Sequence, residues 1–137
     1  MSSYLEDQLL NWIKGTTFVA APVTLYAALY TANPTDAQAS GTEVSGNGYA
    51  RQPITSSTGW SSIVGAGAGT GDSITNSGVI TFATPTGAGW GTVTGFALYD
   101  ALTVGNEVVW AALTASKVIN AGDVVTFGIG AISIAFD

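Results

Sequence analysis

The side chains that could do chemistry in this chain are nine carboxylates and three cations, because histidine and cysteine are both absent. Histidine is the commonest general base, and the two missing residue types are the main protein ligands of transition metals. Ser73 follows Gly71 and Asp72 in a block that could present a nucleophile, but a serine nucleophile needs a neighbouring base. The sequence therefore disfavours a hydrolase and predicts an ordinary polar turn there.

Carboxylates could instead work in pairs, as in glycoside hydrolases, which hold two acids at a set distance across a sugar. Six of the nine acids fall in predicted loops and at turns, at Asp36, Glu43, Asp72, Asp100, Glu107 and Asp123. Aspartate is common in such places because it bonds nearby backbone N–H groups. The calcium-loop pattern and the phosphate-binding glycine patterns are also absent. The sequence predicts no catalytic residue, no cofactor and no metal site.

The charge balance narrows the range of partners. The net charge is −6, and the three cations are Lys14, Arg51 and Lys117. Nucleic acids and anionic membranes require clustered lysine or arginine, so the sequence disfavours both. Charged residues make up 9% of the chain, compared with about 25% in an average soluble domain. A surface with so few charges suits contact with other proteins.

The sequence also shows neither a leader pattern nor a membrane-span pattern, so we expect synthesis in a host cytoplasm.

A helix is predicted over residues 3–14. Ser3 and Glu6 have the spacing of a capping box, and Gly15 offers a left-handed end. Apolar residues recur on one side of this helix, at Leu5, Leu9, Trp12 and Ile13. We expect this stripe to cover one end of the core of a β-sheet, and the alternative is that it docks on a neighbouring subunit.

Short segments with alternating apolar residues follow over residues 24–137. The segment Gly89–Asp100 is the predicted central strand, because both of its faces carry apolar or small side chains. Strands without intervening helices predict a mainly β chain, an antiparallel β-sandwich or jelly-roll-like domain with one N-terminal helix, and a small closed barrel is the alternative. The length of 137 residues fits one domain, 1–137.

Three further features are candidate contact sites. A glycine-rich loop is predicted over residues 55–78, with Gly67 and Gly69 in its low-complexity centre, where a partner would be needed to impose order. Arg51 is predicted either to clamp a carboxylate of its own chain or to anchor a subunit contact. Trp60 is predicted to be either a lid on the core or an exposed interface residue.

Four segments of the sequence resemble those of small virion proteins of tailed bacteriophages, which are labelled tail-fibre-like or head decoration (cement) proteins. These segments are LYTANPTD (Leu29–Asp36), GTEVSGNGYAR (Gly41–Arg51), WGTVT (Trp90–Thr94) and the Gly122-Asp123 turn. The resemblance covers nearly the whole chain, although the stretch Gly65–Gly71 departs from it. It implies a β-rich virion subunit without enzyme activity.

We therefore expect a capsid decoration or cement protein that binds and stabilises the mature head shell, with a tail or tail-fibre structural component as the alternative. The expected partner is the major capsid protein, or tail proteins in the alternative, and the protein is expected to form a homo-oligomer, for instance a trimer, in the virion. A third class, a carbohydrate-binding module, would use Trp60 or Trp90 as a stacking platform. The predicted protein-interface residues are Leu5, Trp12, Arg51, Trp60, Gly67 and Gly69.

Overall fold

A computed structural model describes residues 1–38, 40–65 and 71–136. Within these ranges, one N-terminal helix precedes nine strands. They are α1 (Ser3–Ile13), β1 (Thr24–Ala32), β2 (Thr42–Glu43), β3 (Gln52–Thr55), β4 (Asp72–Thr75), β5 (Ile80–Thr81), β6 (Gly91–Tyr99), β7 (Glu107–Ile119), β8 (Thr126–Phe127) and β9 (Ser133–Phe136). The predicted mainly β fold with one N-terminal helix is confirmed. Among the described helices, none is long and apolar enough to cross a membrane.

The main sheet is antiparallel, with strand order β2-β1-β6-β7 and with β3 also paired to β1. As predicted, β6 lies inside the sheet, between β1 and β7. Two short antiparallel ladders, β4–β9 and β5–β8, form separate pairs. The sheet order places residues that are distant in the sequence side by side, for example Tyr26 opposite Tyr99.

The core lies between one face of the main sheet and the two short ladders. Leu29 and Leu98 of the sheet share a buried cluster with Ile80, Phe82 and Ile132, which lie in or beside the ladders. Aromatic rings fill this space and contact one another at centroid distances of 5.4–6.2 Å. Two packed antiparallel layers therefore give the fold its sandwich-like architecture. The opposite face of the sheet buries a smaller cluster, Ala28, Tyr30, Ala97 and Tyr99.

Strict alternation along β6 fails at one position. Alternation places Val93 on the face opposite Trp90 and Leu98, yet all three residues belong to the same buried core cluster. The β6–β7 register shifts between Val93 and Gly95. Such a bulge moves the side chains beyond it to the other face of the sheet. Alternation therefore holds within each half of β6, but the two halves differ in which residues face the core.

The predicted loop 55–78 is partly a strand. Its residues Asp72–Thr75 form β4, which pairs with β9 near the C-terminus, and Trp60 and Asn76 form an isolated bridge. Asn76 is 1% exposed, and its side-chain amide donates to the carbonyl oxygens of Gly78 (2.7 Å) and Gly128 (2.8 Å). Its Oδ1 accepts from the backbone N–H of Ile132 at 2.8 Å. Asn76 therefore links the turn after β4 to the segment before β9.

The helix begins at Ser3 as predicted, but its N-cap residue lies one position before the predicted one. Ser2, not Ser3, is the N-cap residue, with an extended backbone and a hydroxyl that accepts from the Leu5 N–H at 3.4 Å. The predicted Ser3–Glu6 capping box is therefore wrong. The reason is that the chain already bonds to the body at this point: the Ser3 N–H donates to the carbonyl of Asp36 at 2.8 Å.

Candidate functional site

The C-terminal half of α1 exposes four large apolar side chains. Trp12 is 64% exposed and Ile13 is 73% exposed, and Leu9 and Leu10 are exposed beside them. These four residues are called the α1 surface below. No residue of α1 is buried in the described structure. The prediction that the helix covers one end of the core is therefore wrong, and its apolar residues are free to contact another molecule.

The N-terminus of α1 is attached to the start of β7. The Ser2 hydroxyl donates to the carbonyl oxygens of Glu107 and Val108, the latter at 2.8 Å, and the Ser2 N–H donates to Val108 at 3.3 Å. Ser2 is buried. Isolated helices shorter than about 12–15 residues are only marginally stable in water. The 11 residues of α1 therefore depend on this anchor to the β body.

The chain after the helix returns beside it. Tyr4, Leu5 and Gln8 line an open apolar groove together with Phe18 and Val19. The Val19 N–H donates to Oε1 of Gln8 at 3.4 Å. This contact covers part of one side of α1, including Leu5, while the α1 surface remains open.

The charges of α1 lie at opposite ends. Glu6 and Asp7 are in its first two turns, and Lys14 is its C-cap residue. Both arrangements are favourable for the helix dipole. Asp7 and Lys14 are exposed, and seven residues of helix bring them to nearly the same side. On the helix these two charges lie beside Leu10 and nearly opposite Leu9 and Trp12.

Arg51 is one of the most fully bonded side chains of the molecule. It is 8% exposed and forms a two-pronged ion pair with Glu43, with Nε–Oε1 and Nη2–Oε2 both at 2.8 Å. Nη1 donates to the carbonyls of Ala101 (3.0 Å) and Val104 (2.8 Å). The guanidinium carbon lies 3.5 Å from the centroid of the Tyr99 ring. Of the two predicted roles, the structure has the clamp on a carboxylate of its own chain, because these contacts occupy the guanidinium.

Tyrosine hydroxyls extend this network into the sheet. The Tyr49 hydroxyl donates to Glu43 Oε1 at 3.0 Å and accepts from the Leu29 N–H at 2.9 Å. The hydroxyls of Tyr30 and Tyr99 bond to each other. Burial raises the pKa of Tyr30 and Tyr49, so both phenols stay protonated at neutral pH. The network is suited to holding the loop before β3 against the sheet, not to proton transfer.

Glu107 is the buried acid that the sequence interpretation missed. It is 0% exposed, one oxygen accepts from the Tyr99 hydroxyl at 3.3 Å, and the other has no partner among the described residues. Burial raises the pKa of this carboxyl. Gln38 brackets its backbone, accepting from the Glu107 N–H at 2.9 Å and donating to its carbonyl at 3.0 Å. The sequence feature that could have indicated its burial is its position directly before the apolar run of β7.

A scan against protein-family models matches residues 1–135 to the family described as "Podophage GP4 fiber I protein gp80". This chain belongs to the podophage GP4 fiber I protein family. The resemblance to small virion proteins of tailed phages is thereby confirmed, and the chain is a phage structural protein. The family description names a fibre, which agrees with the alternative prediction; head decoration stays unconfirmed. No curated protein matches the chain.

In this member of the fiber I family, the four predicted interface residues that the structure describes do not form one site. Leu5 and Trp12 both lie on α1, and Arg51 is buried in its ion pair. Trp60 is half-buried and packs against the core cluster, as the lid interpretation predicts. Gly67 and Gly69 lie outside the described residues.

Two further features of this fiber I family member bear on sugar binding and on metal binding. Trp90 is buried and its indole N–H donates to the carbonyl of Asn47 at 3.1 Å, so it offers no stacking platform for a sugar. In the ranges that the structure describes, no three acidic side chains are grouped to hold a metal ion. The protein therefore combines a β body held by buried hydrogen bonds with a helix whose apolar side chains are exposed, and this combination is suited to protein contacts.

Proposed function

We propose that this chain is a structural subunit of a virion fibre, that it acts through protein–protein contacts, and that it catalyses no reaction. The observation that carries this proposal is the match of residues 1–135 to a phage fibre protein family. A match of this length includes α1 as well as the sheet. The whole arrangement of helix and β body therefore supports the assignment.

The chemistry of the surface supports the same proposal. Charged residues are 9% of the chain, so few ionic groups must lose their water when the protein is packed into an assembly. The α1 surface supplies exposed aromatic and aliphatic side chains, which are the residue types that dominate protein interfaces. The body behind it is fixed by the Arg51 clamp and by Asn76, so a contact made at α1 can be transmitted to a rigid unit.

The fibre assignment replaces head decoration as the leading proposal, because the family description names a fibre. The proposed partners are accordingly other tail or fibre proteins and further copies of this chain. The major capsid protein is the partner in the competing hypothesis.

The copy number of the protein in purified particles tests this assignment. Quantitative mass spectrometry against the major shell protein should give a small number of copies per particle, and gold-labelled antibodies should bind at the tail. The shell protein and one tail protein of the same particle serve as internal references. A ratio near one to one with the shell protein would instead support decoration of the head, and absence from particles would refute a virion role.

A further inference from the structure

We propose that Glu107 is a pH-sensitive latch between α1 and the β body. The helix is attached while the buried carboxyl group of Glu107 is protonated, and it is released when that group ionises, with the main sheet still folded. The latch is a property of the chain in solution. It does not depend on whether the protein is part of a fibre.

The contacts that attach α1 converge on the backbone of Glu107 and Val108. The Ser2 hydroxyl donates to both carbonyl oxygens, and the Ser2 N–H donates to the Val108 carbonyl at 3.3 Å. The Gln38 side chain accepts from the Glu107 N–H at 2.9 Å and donates to the Glu107 carbonyl at 3.0 Å. Any displacement of Glu107 therefore disturbs the anchor of the helix directly.

The surroundings of the Glu107 side chain suit a neutral carboxyl group. The residue is 0% exposed, Oε2 accepts from the Tyr99 hydroxyl at 3.3 Å, and Oε1 has no partner among the described residues. A buried carboxylate is costly unless it is paired and fully hydrogen-bonded. Arg51 does not supply that pair, because it is already bonded to both carboxylate oxygens of Glu43. Ionisation of Glu107 therefore favours any opening that admits water to it.

The other titratable groups near this carboxyl group do not remove that cost. Burial raises the pKa of the group most strongly and Asp36 raises it further, while Arg51 and the α-amino group of Met1 act in the opposite direction. The hydroxyls of Tyr30 and Tyr99 bond to each other, and burial raises the pKa of both phenols, so they stay neutral. No ionised tyrosine competes with the latch below about pH 10.

Detachment of α1 is the least costly opening that reaches Glu107. Between residues 1 and 23, all of which the structure describes, Ser2 is the only buried residue. Lifting this segment therefore exposes little apolar surface. Opening the sheet would instead break the β6–β7 ladder and expose Leu98, which is fully buried. Because local openings occur first in the least stable segments, ionisation should release α1 before the sheet unfolds.

The sign of the pH dependence follows from the raised pKa. The attachment is at full strength below the ordinary glutamate pKa of about 4.3, and it weakens as pH rises through the raised value of the closed state. The chain has no histidine and no cysteine, so no side chain with an ordinary pKa titrates between about pH 5 and pH 8. A change in α1 within this range therefore identifies a group with a shifted pKa.

The test is hydrogen exchange of the full chain, followed by mass spectrometry from about pH 5 to about pH 9 and corrected for the intrinsic exchange rates. The protection of α1 should fall about tenfold for each pH unit by which the closed state raises the pKa of Glu107. Throughout the range, α1 should exchange faster than β1 and β6. Glu107→Gln should abolish the pH dependence, because its side chain cannot ionise.

Two further variants act on carboxylates that are exposed in the structure. Asp7→Asn is the matched control on α1 itself and should leave the pH dependence unchanged. Asp36→Asn removes a negative charge that raises the pKa of Glu107, so it should move the midpoint to lower pH. This shift tests the latch even if Glu107→Gln does not fold, which circular dichroism would reveal.

Three results would overturn the proposal. The protection of α1 could be independent of pH, or α1 could exchange at the same rate as β1 and β6, which would mean that the helix opens only when the whole domain unfolds. A pH dependence that persists in a folded Glu107→Gln variant, or a midpoint that Asp36→Asn leaves in place, would assign the effect to another group, such as the α-amino group of Met1.

Discussion

Replacing Asn76 with alanine should bring the protein close to its limit of stability. The Asn76 side chain is almost fully buried and makes three hydrogen bonds, to Gly78, Gly128 and Ile132, at 2.7–2.8 Å. Alanine keeps the backbone but removes all three partners at once. The Gly78 carbonyl oxygen and the Ile132 N–H group would then be left without a partner in a site that a methyl group cannot satisfy. The Gly128 carbonyl keeps its bond from the Ala131 N–H at 3.1 Å.

The magnitude follows from the two groups that lose their partner. A buried polar group that loses its partner costs about 1–3 kcal/mol, so we expect Asn76→Ala to lower the free energy of unfolding by about 4 kcal/mol. A domain of this size is stable by about 5–15 kcal/mol in total. Asn76→Asp should be at least as destabilising at neutral pH, because it loses both donors and places a negative charge against two carbonyl oxygens.

The assay is urea unfolding followed by tryptophan fluorescence, with Asn120→Ala as the control. Asn120 is exposed, and changes at such positions usually alter stability by less than about 0.5 kcal/mol. The reasoning would be refuted if Asn76→Ala stayed within about 1 kcal/mol of the unmodified chain. It would also be refuted if the Asn120 control lost as much stability, because the effect would then not come from the buried bonds.

Three further changes give distinct outcomes. Arg51→Lys should lower the free energy of unfolding by about 2 kcal/mol, because lysine cannot keep the two-pronged contact with Glu43 and the two carbonyl bonds together; a thermal melt that is unchanged contradicts this. Ser2→Ala removes the N-cap and its bonds to β7, and should cost about 1 kcal/mol, with faster hydrogen exchange confined to α1; uniform exchange across the sheet would argue against a local anchor. Burial raises the pKa of Glu107 above its value in the unfolded chain, so the folded state binds this proton more tightly. Its stability is then retained below the ordinary glutamate pKa of about 4.3 and falls as pH rises through the raised value. Glu107→Gln should therefore melt higher than the unmodified chain at pH 8 and like it near pH 4, and equal melting temperatures at both pH values would exclude a buried charge as the cause.

The elements governed by local periodicity could be predicted from the sequence. The helix was placed within one residue at its end, and β6 was identified as an inner strand because both of its faces are apolar or small. A period of two does not include bulges, so strict alternation along β6 places Val93 on the face opposite Trp90 and Leu98, whereas in the structure it belongs to the same buried cluster. Phe136, the last residue of β9, is exposed although it is large and apolar. It pairs with Asp72 at one end of the β4–β9 ladder.

Features that depend on distant pairing were not predictable. β4 was interpreted as loop because its partner, β9, lies about 60 residues later and strand pairing of that kind leaves no local pattern. The burial of Glu107 likewise depends on Gln38 and Tyr99 meeting at the start of β7. The apolar stripe of α1 was recognised, but a stripe does not reveal whether its own chain or another molecule covers it.

The pairing of β1 with β6 has a consequence for how the protein folds during synthesis. Tyr26 lies opposite Tyr99, so β1 cannot pair with β6 until dozens of further residues have been synthesised. At ribosomal rates of about 5–20 residues per second, this delay lasts seconds. The apolar α1 emerges before either strand. Such long-range pairing also slows folding, so nascent chains are exposed to premature contact through α1, and yields from recombinant expression should improve at lower temperature or lower expression rate.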